Sequence, residues 1–263
     1  MIKLDLLNIL NKGFFERPRF RQYATRLVAG NRDTDVEMLG ASFSLHSVKE
    51  SGYLLASKAC KYSHLLRDEV PALINLACLL RDGDTFVDIG ANVGLHSLVL
   101  HRLGALKKDL RFYAFEANPD TFLRLKKQTH KTDIEAVNIA ISNVKGSLDF
   151  VGGAVSHVFT VASKANSYSI NDNSISVNSE RLDQLDIKGS SLVLKIDVEG
   201  QELEVLQGAE NLFDMGVIRA VYIDGYADKS VETVLAGYGF KFFDGKTLLP
   251  VSGNVFSLLA VKD

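Results

Sequence analysis

One short segment constrains the fold of this chain more than any other feature of its sequence. The apolar run Phe86–Ile89 leads directly into GANVG at positions 90–94, and an apolar stripe with helical spacing begins at Leu95. In open parallel α/β sheets, ligands bind at the carboxyl ends of strands, where glycine lets a ligand approach the backbone closely. The segment therefore predicts a strand, a ligand-binding turn and a helix in direct succession.

The chain after about residue 70 alternates short apolar runs with helical patterns, which is typical of βαβ units and a parallel sheet. The predicted strands are Thr85–Ile89, Arg111–Phe115, Ile134–Ile141, Ser191–Val198 and Val217–Asp224, followed by an antiparallel pair at Phe240–Phe243 and Val255–Val261. The predicted helices are Val70–Leu80, Leu95–Leu103, one capped by Asn118, Gln201–Leu206 and Lys229–Tyr238. This order predicts an α/β three-layer sandwich whose mostly parallel seven-stranded sheet ends in an antiparallel hairpin.

Two regions fall outside that alternation. Residues 1–70 are mixed, with a strand-like stretch at Ala41–Val48, and we interpret them as an N-terminal extension or cap on a main domain at 71–263. Within the main domain, Ser147–Val151 and Ser156–Ala162 resemble a hairpin, and the polar stretch Asn166–Asn178 follows. We expect Gly152–Asn178 to form a lid under which an acceptor binds, because long polar loops often carry recognition.

The glycine spacing and a downstream acid indicate which ligand the turn binds. A dinucleotide fold favours G-x-G-x-x-G, because its pyrophosphate must sit on the helix N-terminus, whereas this chain has G-x-x-x-G. S-adenosylmethionine has no phosphate, so its turn can be looser and carry an acid such as Asp88 near the ligand's amino group. Glu116 ends the second strand, where a carboxylate can accept hydrogen bonds from both ribose hydroxyls. The loop Asn138-Ile139-Ala140 at the end of the third strand is predicted to border the adenine.

Three charged residues alternate in the strongly apolar strand that precedes residue 200. Because alternate residues of a strand share a face, Lys195, Asp197 and Glu199 are predicted to point the same way. Charges in such a strand are costly unless they have a role, so we expect catalysis there. Asp197 is the first candidate general base, Glu199 the second and His96 the third, since histidine titrates near pH 7. Lys195 would orient Asp197 or the substrate. The alternative is a structural Lys–Asp pair, with Glu199 capping the next helix.

These motifs together resemble the FkbM family of methyltransferases. The resemblance covers residues 80–243 through "FVDIGANVGLHSL", "FEANP", "NIAISN", "LDQL" and "LVLKIDVEGQELEVLQGAENLF". It implies a class I, Rossmann-like, S-adenosylmethionine-dependent enzyme that O-methylates hydroxyls of sugars or related natural products. The cofactor contacts that it implies are Asp88, Gly90, Asn92, Gly94, Glu116, Ile139 and Ala140, to which we add Asn138. The family more often has Glu where this chain has Asp224.

Two other classes of function stay open on the residues alone. A nicotinamide-dependent oxidoreductase would share the strand, the turn and Glu116, but the sequence lacks both the G-x-G-x-x-G spacing and an evident Tyr-x-x-x-Lys. A chain with the methyltransferase fold could also serve as a catalytically silent binding or scaffold subunit. A measurement of cofactor binding distinguishes the oxidoreductase from a methyltransferase. A measurement of turnover distinguishes the catalytically silent subunit from an active enzyme.

Composition narrows the partners and the compartment. With 30 Lys+Arg against 32 Asp+Glu, the net charge of −2 gives no basic footprint for nucleic acid, so we expect a small-molecule or glycan acceptor. Cys60 and Cys78 are predicted to be buried thiols, because their spacing fits neither a zinc site nor a disulfide framework. An acidic pair could hold a divalent metal, although two acids do not define such a site. With no signal peptide or apolar run of about 20 residues, we expect a cytoplasmic protein.

A basic cluster lies near the N-terminus. Its members are Arg17, Arg19, Arg21 and Arg26. Such a run is usually a solvated face, but it could also hold an anionic sugar, a lipid-linked acceptor or a protein partner.

Overall fold

The structure is a computed structural model that describes residues 18–58, 64–152, 159–161, 174–226 and 228–262. The chain divides into two compact units, Met1–Ile74 and Asn75–Asp263. The boundary predicted at residue 70, and the role of the first part as an extension or cap, stay predictions. No helix within the described ranges is long and apolar enough to cross a membrane.

The helices and strands are numbered in chain order. The helices are α1 (Pro18–Ala29), α2 (Ser51–Lys58), α3 (His64–Leu79), α4 (Leu95–Leu103), α5 (Pro119–Thr129), α6 (Glu202–Gln207), α7 (Glu210–Asp214) and α8 (Ser230–Gly237). The strands are β1 (Asp33–Met38), β2 (Ala41–His46), β3 (Thr85–Ile89), β4 (Arg111–Phe115), β5 (Glu135–Val137), β6 (Ala140–Ile141), β7 (Gly146–Gly152), β8 (Phe159–Val161), β9 (Ile175–Glu180), β10 (Leu192–Ile196), β11 (Ile218–Asp224), β12 (Lys241–Asp244) and β13 (Ser257–Val261).

The first unit contains an antiparallel hairpin of β1 and β2. Its turn is formed by Leu39 and Gly40, which both have positive φ, at 50° and 78°, as a two-residue hairpin turn of type I′ requires. Buried apolar side chains alternate along both strands, so that one face of the hairpin is a core face. The strand expected at Ala41–Val48 is present at Ala41–His46.

The second unit is built on a seven-stranded sheet in the order β12-β13-β11-β10-β3-β4-β5. The five strands from β11 to β5 in that order are parallel, and β13 pairs antiparallel with both β11 and β12. Every residue of β3 and β10 is buried, as expected for central strands of a parallel sheet. The Rossmann-like class I fold, with a mostly parallel sheet ending in an antiparallel hairpin, is confirmed.

Local sequence signals explain where the site-forming helices begin. α4 starts directly after Gly94, whose φ of 88° is readily adopted by glycine. α5 starts after Asn118, whose side chain accepts hydrogen bonds from the backbone N–H groups of Asp120 and Thr121. Pro119 occupies the first helical position, where its missing N–H has no cost. Both helices therefore begin at the carboxyl ends of strands.

The third predicted strand, Ile134–Ile141, is wrong as a single element. Only β5 joins the main sheet, and β6 belongs to a separate four-stranded sheet in the order β6-β9-β7-β8. Between them, the Asn138 side chain donates to the backbone carbonyls of Glu116 and Ala117, at 2.7 and 3.0 Å. Because a side chain takes these acceptors, the main-sheet ladder ends there and the chain turns away.

The smaller sheet also corrects the interpretation of the polar region that follows. The expected hairpin is present as the antiparallel pair of β7 and β8, in which Phe150 lies opposite Val161. The stretch expected to be irregular, Asn166–Asn178, ends instead in β9, which pairs with both β7 and β6. Most of the predicted lid, at 153–158 and 162–173, lies outside the described residues.

The expectations for the two cysteines and for the basic cluster can be compared with the structure only in part. Cys78 is exposed rather than buried, because on α3 it lies two positions from the buried Leu76 and therefore faces nearly the opposite way. Cys60 lies outside the described residues, as do Arg17 and the side chains of Arg19 and Arg21. Of the basic cluster, Arg26 is described, and it is exposed.

Candidate functional site

A pocket lies at the carboxyl ends of β3, β4 and β10. The glycine turn in the sequence predicted a ligand site at this edge of the sheet. Its polar lining comes from the segments that follow these strands, and its apolar lining comes from strand ends and from the smaller sheet. The lining residues are Ile89, Gly90, Asn92, Phe115, Glu116, Ala117, Ile139, Ala140, Ile141, Leu148, Phe150, Asp197, Val198, Glu199 and Gln201. Five of the predicted cofactor residues and two of the predicted catalytic residues are among them.

The glycine turn is held tightly against its neighbours. The backbone N–H groups of Gly90 and Ala91 both donate to the carbonyl of Phe115, at 3.0 and 2.9 Å. Gly90 has φ of 79°, and a Cβ at this position would lie 1.9 Å from the backbone oxygen of Asp197. Any side chain here would therefore push apart the two segments that form the pocket. Gly94 lies behind the turn, where a Cβ would meet the Leu125 side chain at 2.8 Å.

Glu116 presents a buried carboxylate to the pocket. Its two oxygens accept hydrogen bonds from the backbone N–H groups of Asn92 and Asn118, each at 2.8 Å. Burial raises the pKa of the Glu116 carboxyl to about 7, although the N–H groups of Asn118 and Asn92 act in the opposite direction. Each carboxylate oxygen has a second lone pair, so Glu116 can still accept hydrogen bonds from a ligand.

Asn92 supplies a second acceptor to the same pocket. Its backbone is in the left-handed region, with φ of 52°, a conformation that asparagine tolerates better than most residues. Its buried side-chain oxygen Oδ1 finds no hydrogen-bond donor among the described residues. A buried acceptor without a donor is costly, so this atom fits a ligand that brings an N–H or O–H group.

The other end of the pocket is apolar. Ile139 and Ala140 lie there, where an adenine was expected, while Asn138 holds the loop through its hydrogen bonds to the backbone. Leu148 and Phe150 of β7 complete this wall, and sequence reasoning did not identify them as site residues. The available signal was the alternation of Leu148 and Phe150 with polar residues, which indicated a strand with one buried face.

Behind the pocket, Lys195 lies among carboxylates. Its Nζ is 3.2 Å from both Asp88 Oδ1 and Asp197 Oδ2, and it donates to the Gly90 carbonyl at 3.3 Å. Burial alone would lower the pKa of Lys195, but the charges of Asp197, Asp88 and Asp224 raise it above its ordinary value. Lys195 is therefore held in its protonated form, and its role as an orienting group stays a prediction. Asp88 is fully buried behind the turn, and its other oxygen accepts from the Ser97 hydroxyl at 2.7 Å.

Asp197 and Glu199 both line the pocket, but they do not share a strand face. β10 ends at Ile196 rather than at Val198, and Glu199 lies in the following turn with φ of 48°. Partial burial raises the pKa of the Glu199 carboxyl to about 7, and the nearby charges of Asp197, Glu202 and Asp224 act in the same direction. The same-face prediction therefore fails for Glu199, while both carboxylates reach the pocket.

His96 does not behave as expected for a base that titrates near neutrality. The residue is buried in α4, and burial, reinforced by the charge of Lys195, lowers its pKa to about 3. It is thus neutral at pH 7 and a poor proton acceptor. The described residues contain no group of three or more His, Cys, Asp or Glu side chains placed to hold a metal ion.

Asp224 ends β11 beside this cluster. Burial raises the pKa of its carboxyl, with the charge of Asp197 acting in the same direction, and the Tyr222 hydroxyl donates to its Oδ1 at 3.3 Å. The carboxyl edge of the sheet therefore carries four acids, Glu116, Asp197, Glu199 and Asp224, near the buried ammonium of Lys195.

The strand order and the pocket at the glycine turn define a protein of the class I methyltransferase type. Residues 88–242 match the family described as the methyltransferase FkbM domain. Because this match covers more than half of the chain, the chain belongs to the FkbM methyltransferase family, as the sequence motifs predicted.

Individual relatives are more distant. The chain is 27% identical over 151 residues to the hexuronic acid methyltransferase AglP of Haloferax volcanii, a match that covers 56% of this chain and spans 58% of AglP. Among solved structures, the methyltransferase FkbM from Methylobacillus flagellatus has a TM-score of 0.49 at 16% identity, covering 92% of this chain and 59% of that one. An rRNA methylase from Streptococcus thermophilus has a TM-score of 0.38 at 13% identity, covering 72% and 91%. That the acceptor is not a nucleic acid stays a prediction.

Proposed function

We propose that this chain is an S-adenosylmethionine-dependent methyltransferase that methylates a hydroxyl of a sugar or a related small glycan acceptor. One observation carries the proposal: a single pocket at the carboxyl ends of three parallel strands joins the tight turn at Gly90, the buried acceptor Glu116 and the carboxylate of Asp197. Family membership supports the methyl-transfer chemistry. The printed activity of AglP, a hexuronic acid methyltransferase, supports a sugar as acceptor.

The residues present fit S-adenosylmethionine in chemical type. Glu116 would accept hydrogen bonds from the ribose hydroxyls, and Asn92 Oδ1, which lacks a donor among the described residues, would accept one from the ligand's amino group. The wall formed by Ile139, Leu148 and Phe150 would take the apolar faces of the adenine. Gly90 leaves room where any Cβ would collide with the backbone of Asp197.

The remaining chemistry belongs to the acceptor hydroxyl. When bound, S-adenosylmethionine supplies a sulfonium methyl carbon, at which a C–O bond forms as the C–S bond breaks. We assign to Asp197 the removal of the hydroxyl proton, which passes to its carboxylate, with Glu199 as the second candidate. Lys195 positions Asp197 through their 3.2 Å contact, and its raised pKa keeps it charged throughout the neutral range.

The test is transfer of a labelled methyl group from S-adenosylmethionine to a panel of neutral saccharides and hexuronic acids. We expect the label on a hydroxyl oxygen, located by mass spectrometry and NMR. The variant Asp197→Asn should lower turnover by about 10²- to 10⁴-fold, because a general base is removed while the size of the side chain is kept.

The matched measurement is the affinity of each variant for S-adenosylhomocysteine. It should stay close to that of the unaltered protein, because Asp197→Asn leaves Gly90 and Glu116 in place. Turnover near that of the unaltered protein would remove Asp197 from the role of base, and loss of turnover only in Glu199→Gln would transfer the role to Glu199. Cofactor binding without transfer to any acceptor would instead favour the catalytically silent alternative.

A further inference from the structure

Beside the pocket, the start of β13 brings an exposed aromatic ring to the same edge of the sheet. Phe256 immediately precedes β13 and is 65% exposed. The next residue, Ser257, pairs with Asp224, and the N–H of Gly225 donates to the Phe256 carbonyl at 3.0 Å. The backbone of Phe256 is therefore fixed to the end of β11, although its side chain faces water.

The sheet register connects this ring to the proposed reaction site. Ile196 of β10 pairs with Ile223 of β11, so Asp197 and Asp224 follow side by side where these parallel strands end. Since neighbouring strands lie about 4.8 Å apart, two strand spacings place the Phe256 segment about 10 Å from Asp197. Asp224 stands between them and interacts electrostatically with Asp197 on one side and with Lys246 on the other.

The Lys246 ammonium lies over the ring, and the tip of the ring lies close to Gly225. A Cβ at Gly225 would lie 3.7 Å from Cζ of Phe256, so the tip of the ring extends over a position that has no side chain. Lys246 Nζ lies 5.0 Å from the ring centroid. Ligand sites are lined largely by apolar and aromatic side chains, so an aromatic ring beside the pocket is a candidate contact surface for the ligand.

We infer that Phe256 and Asp224 form a second subsite that binds a saccharide ring of the acceptor. The apolar C–H face of a pyranose packs on an aromatic ring, whose face is electron-rich, while a carboxylate accepts hydrogen bonds from the hydroxyls at the rim of the sugar. Phe256 supplies the stacking surface and Asp224 the acceptor. This subsite rests on the proposed function, because it holds the acceptor whose hydroxyl would reach Asp197.

The experiment is saturation-transfer NMR on the protein with bound S-adenosylhomocysteine, using methyl glucoside, methyl galactoside and methyl glucuronide as probes. We expect saturation to reach ring C–H protons of at least one probe. The variant Phe256→Ala should weaken the Kd for that probe by about fivefold to tenfold, the size expected for one lost aromatic stacking contact. Phe256→Tyr, which keeps the ring face, should bind as the unaltered protein does, and Asp224→Asn should also bind more weakly.

The control is Leu106→Ala, since Leu106 is 98% exposed and precedes the amino end of β4, away from the pocket. It should change neither saccharide binding nor cofactor binding. Equal saccharide affinity in Phe256→Ala and the unaltered protein would overturn the subsite, and so would absence of any saccharide signal while S-adenosylhomocysteine binds. If S-adenosylhomocysteine does not bind but saccharide binding depends on Phe256, the proposed function fails and the subsite stands.

Discussion

The two ends of the same sheet hold buried charges in very different ways. At the amino end, Asp84 forms an ion pair with Arg219, and both oxygens of Asp84 accept two hydrogen bonds each. The donors include the N–H of Arg81 and the hydroxyl of Ser191, at 2.7 and 2.6 Å. Charge is balanced there, and the carboxylate is surrounded by donors from its own chain.

At the carboxyl end, one ammonium serves several acids. Lys195 lies between Asp88 and Asp197, while the carboxyls of Glu116 and Glu199 both have pKa values raised to about 7 by burial. The same sheet therefore holds a closely paired acid at one end and several acids with raised pKa values at the other. Groups with strongly shifted pKa values cluster at functional sites, because binding and catalysis need ionisation states that an exposed side chain does not have. We therefore expect the amino end to contribute mainly to stability and the carboxyl end to bind the ligand.

The largest effect is expected when the ion pair of Asp84 and Arg219 at the amino end is broken. Asp84→Ala leaves the Arg219 guanidinium without its carboxylate and should lower the free energy of unfolding by about 3–5 kcal/mol, measured by urea denaturation. Asp82→Ala is the matched control, because Asp82 is exposed and accepts a hydrogen bond from the N–H of Lys108; its loss should cost about 1 kcal/mol or less. Weaker S-adenosylhomocysteine binding in folded Asp84→Ala would contradict the division between the two ends.

The next prediction compares two glycines in order to distinguish backbone strain from steric closure of the pocket. Gly90 and Gly200 both have positive φ, at 79° and 92°, but a Cβ would collide with Asp197 only at Gly90 and would meet open space at Gly200. Gly90→Ala should therefore cost about 1–3 kcal/mol more than Gly200→Ala, from overpacking. Titration of the two variants should show S-adenosylhomocysteine affinity reduced at least about tenfold only for Gly90→Ala. Equal affinities would show that the turn does not contact the ligand.

The pH dependence of S-adenosylhomocysteine affinity tests the role of Glu116. Ribose hydroxyls donate to the ionised carboxylate, so S-adenosylhomocysteine affinity should rise about tenfold between pH 6 and pH 8 as a group with pKa of about 7 ionises. Glu116→Gln should bind more weakly and without this slope. Glu199→Gln should retain the slope, although Glu199 has a similar pKa, because Glu199 is assigned to the acceptor side.

Ionisation of Glu116 should also change the stability of the protein, but in the opposite direction. Ligand affinity is expected to rise with pH, whereas stability is expected to fall. The folded pKa of Glu116 is raised above its ordinary value of 4.5, so its neutral form favours folding. That contribution is fully present below about pH 4.5 and is lost as pH rises through about 7. Between these values the unaltered protein, without ligand, should lose stability relative to Glu116→Gln. A parallel pH dependence of the two proteins in denaturation experiments would contradict the burial of this carboxyl.

The smallest effect concerns the apolar wall. Leu148→Ala should weaken S-adenosylhomocysteine binding by about threefold to tenfold, because part of the apolar surface that the ligand covers is removed. Val144→Ala is its control, since Val144 is 48% exposed in the turn before β7 and does not line the pocket. No change in Leu148→Ala would exclude the smaller sheet from the ligand site.

Sequence reasoning succeeded where the signal is local. The bounds predicted for Thr85–Ile89, Leu95–Leu103 and Arg111–Phe115 are those of β3, α4 and β4, because apolar runs and a glycine turn define them. It failed where pairing over long distances decides the structure. β6 has two residues and β9 is largely polar, so both exist through their partners in the smaller sheet.

The site shows the same division. Glu116 and Asp197 were predicted as site residues because each stands at the carboxyl end of an apolar strand, and both line the pocket. The register of β3 with β10 places Lys195 directly opposite Asp88, so the two side chains contact each other, while the predicted role of Asp88 toward the cofactor stays a prediction. No local sequence pattern shows this contact between Lys195 and Asp88. Nor does any local pattern show that burial lowers the pKa of His96 to about 3, which is too low for a base near neutral pH.

We propose above that the carboxyl end of the sheet binds the adenosyl group of S-adenosylmethionine. Calorimetric titration of the full chain with S-adenosylmethionine, S-adenosylhomocysteine and NAD at pH 8 tests it most directly. We expect saturable binding of both adenosyl ligands, weakened in Glu116→Gln, and no binding of NAD. A folded protein that binds neither adenosyl ligand, or that binds NAD in their place, would contradict it.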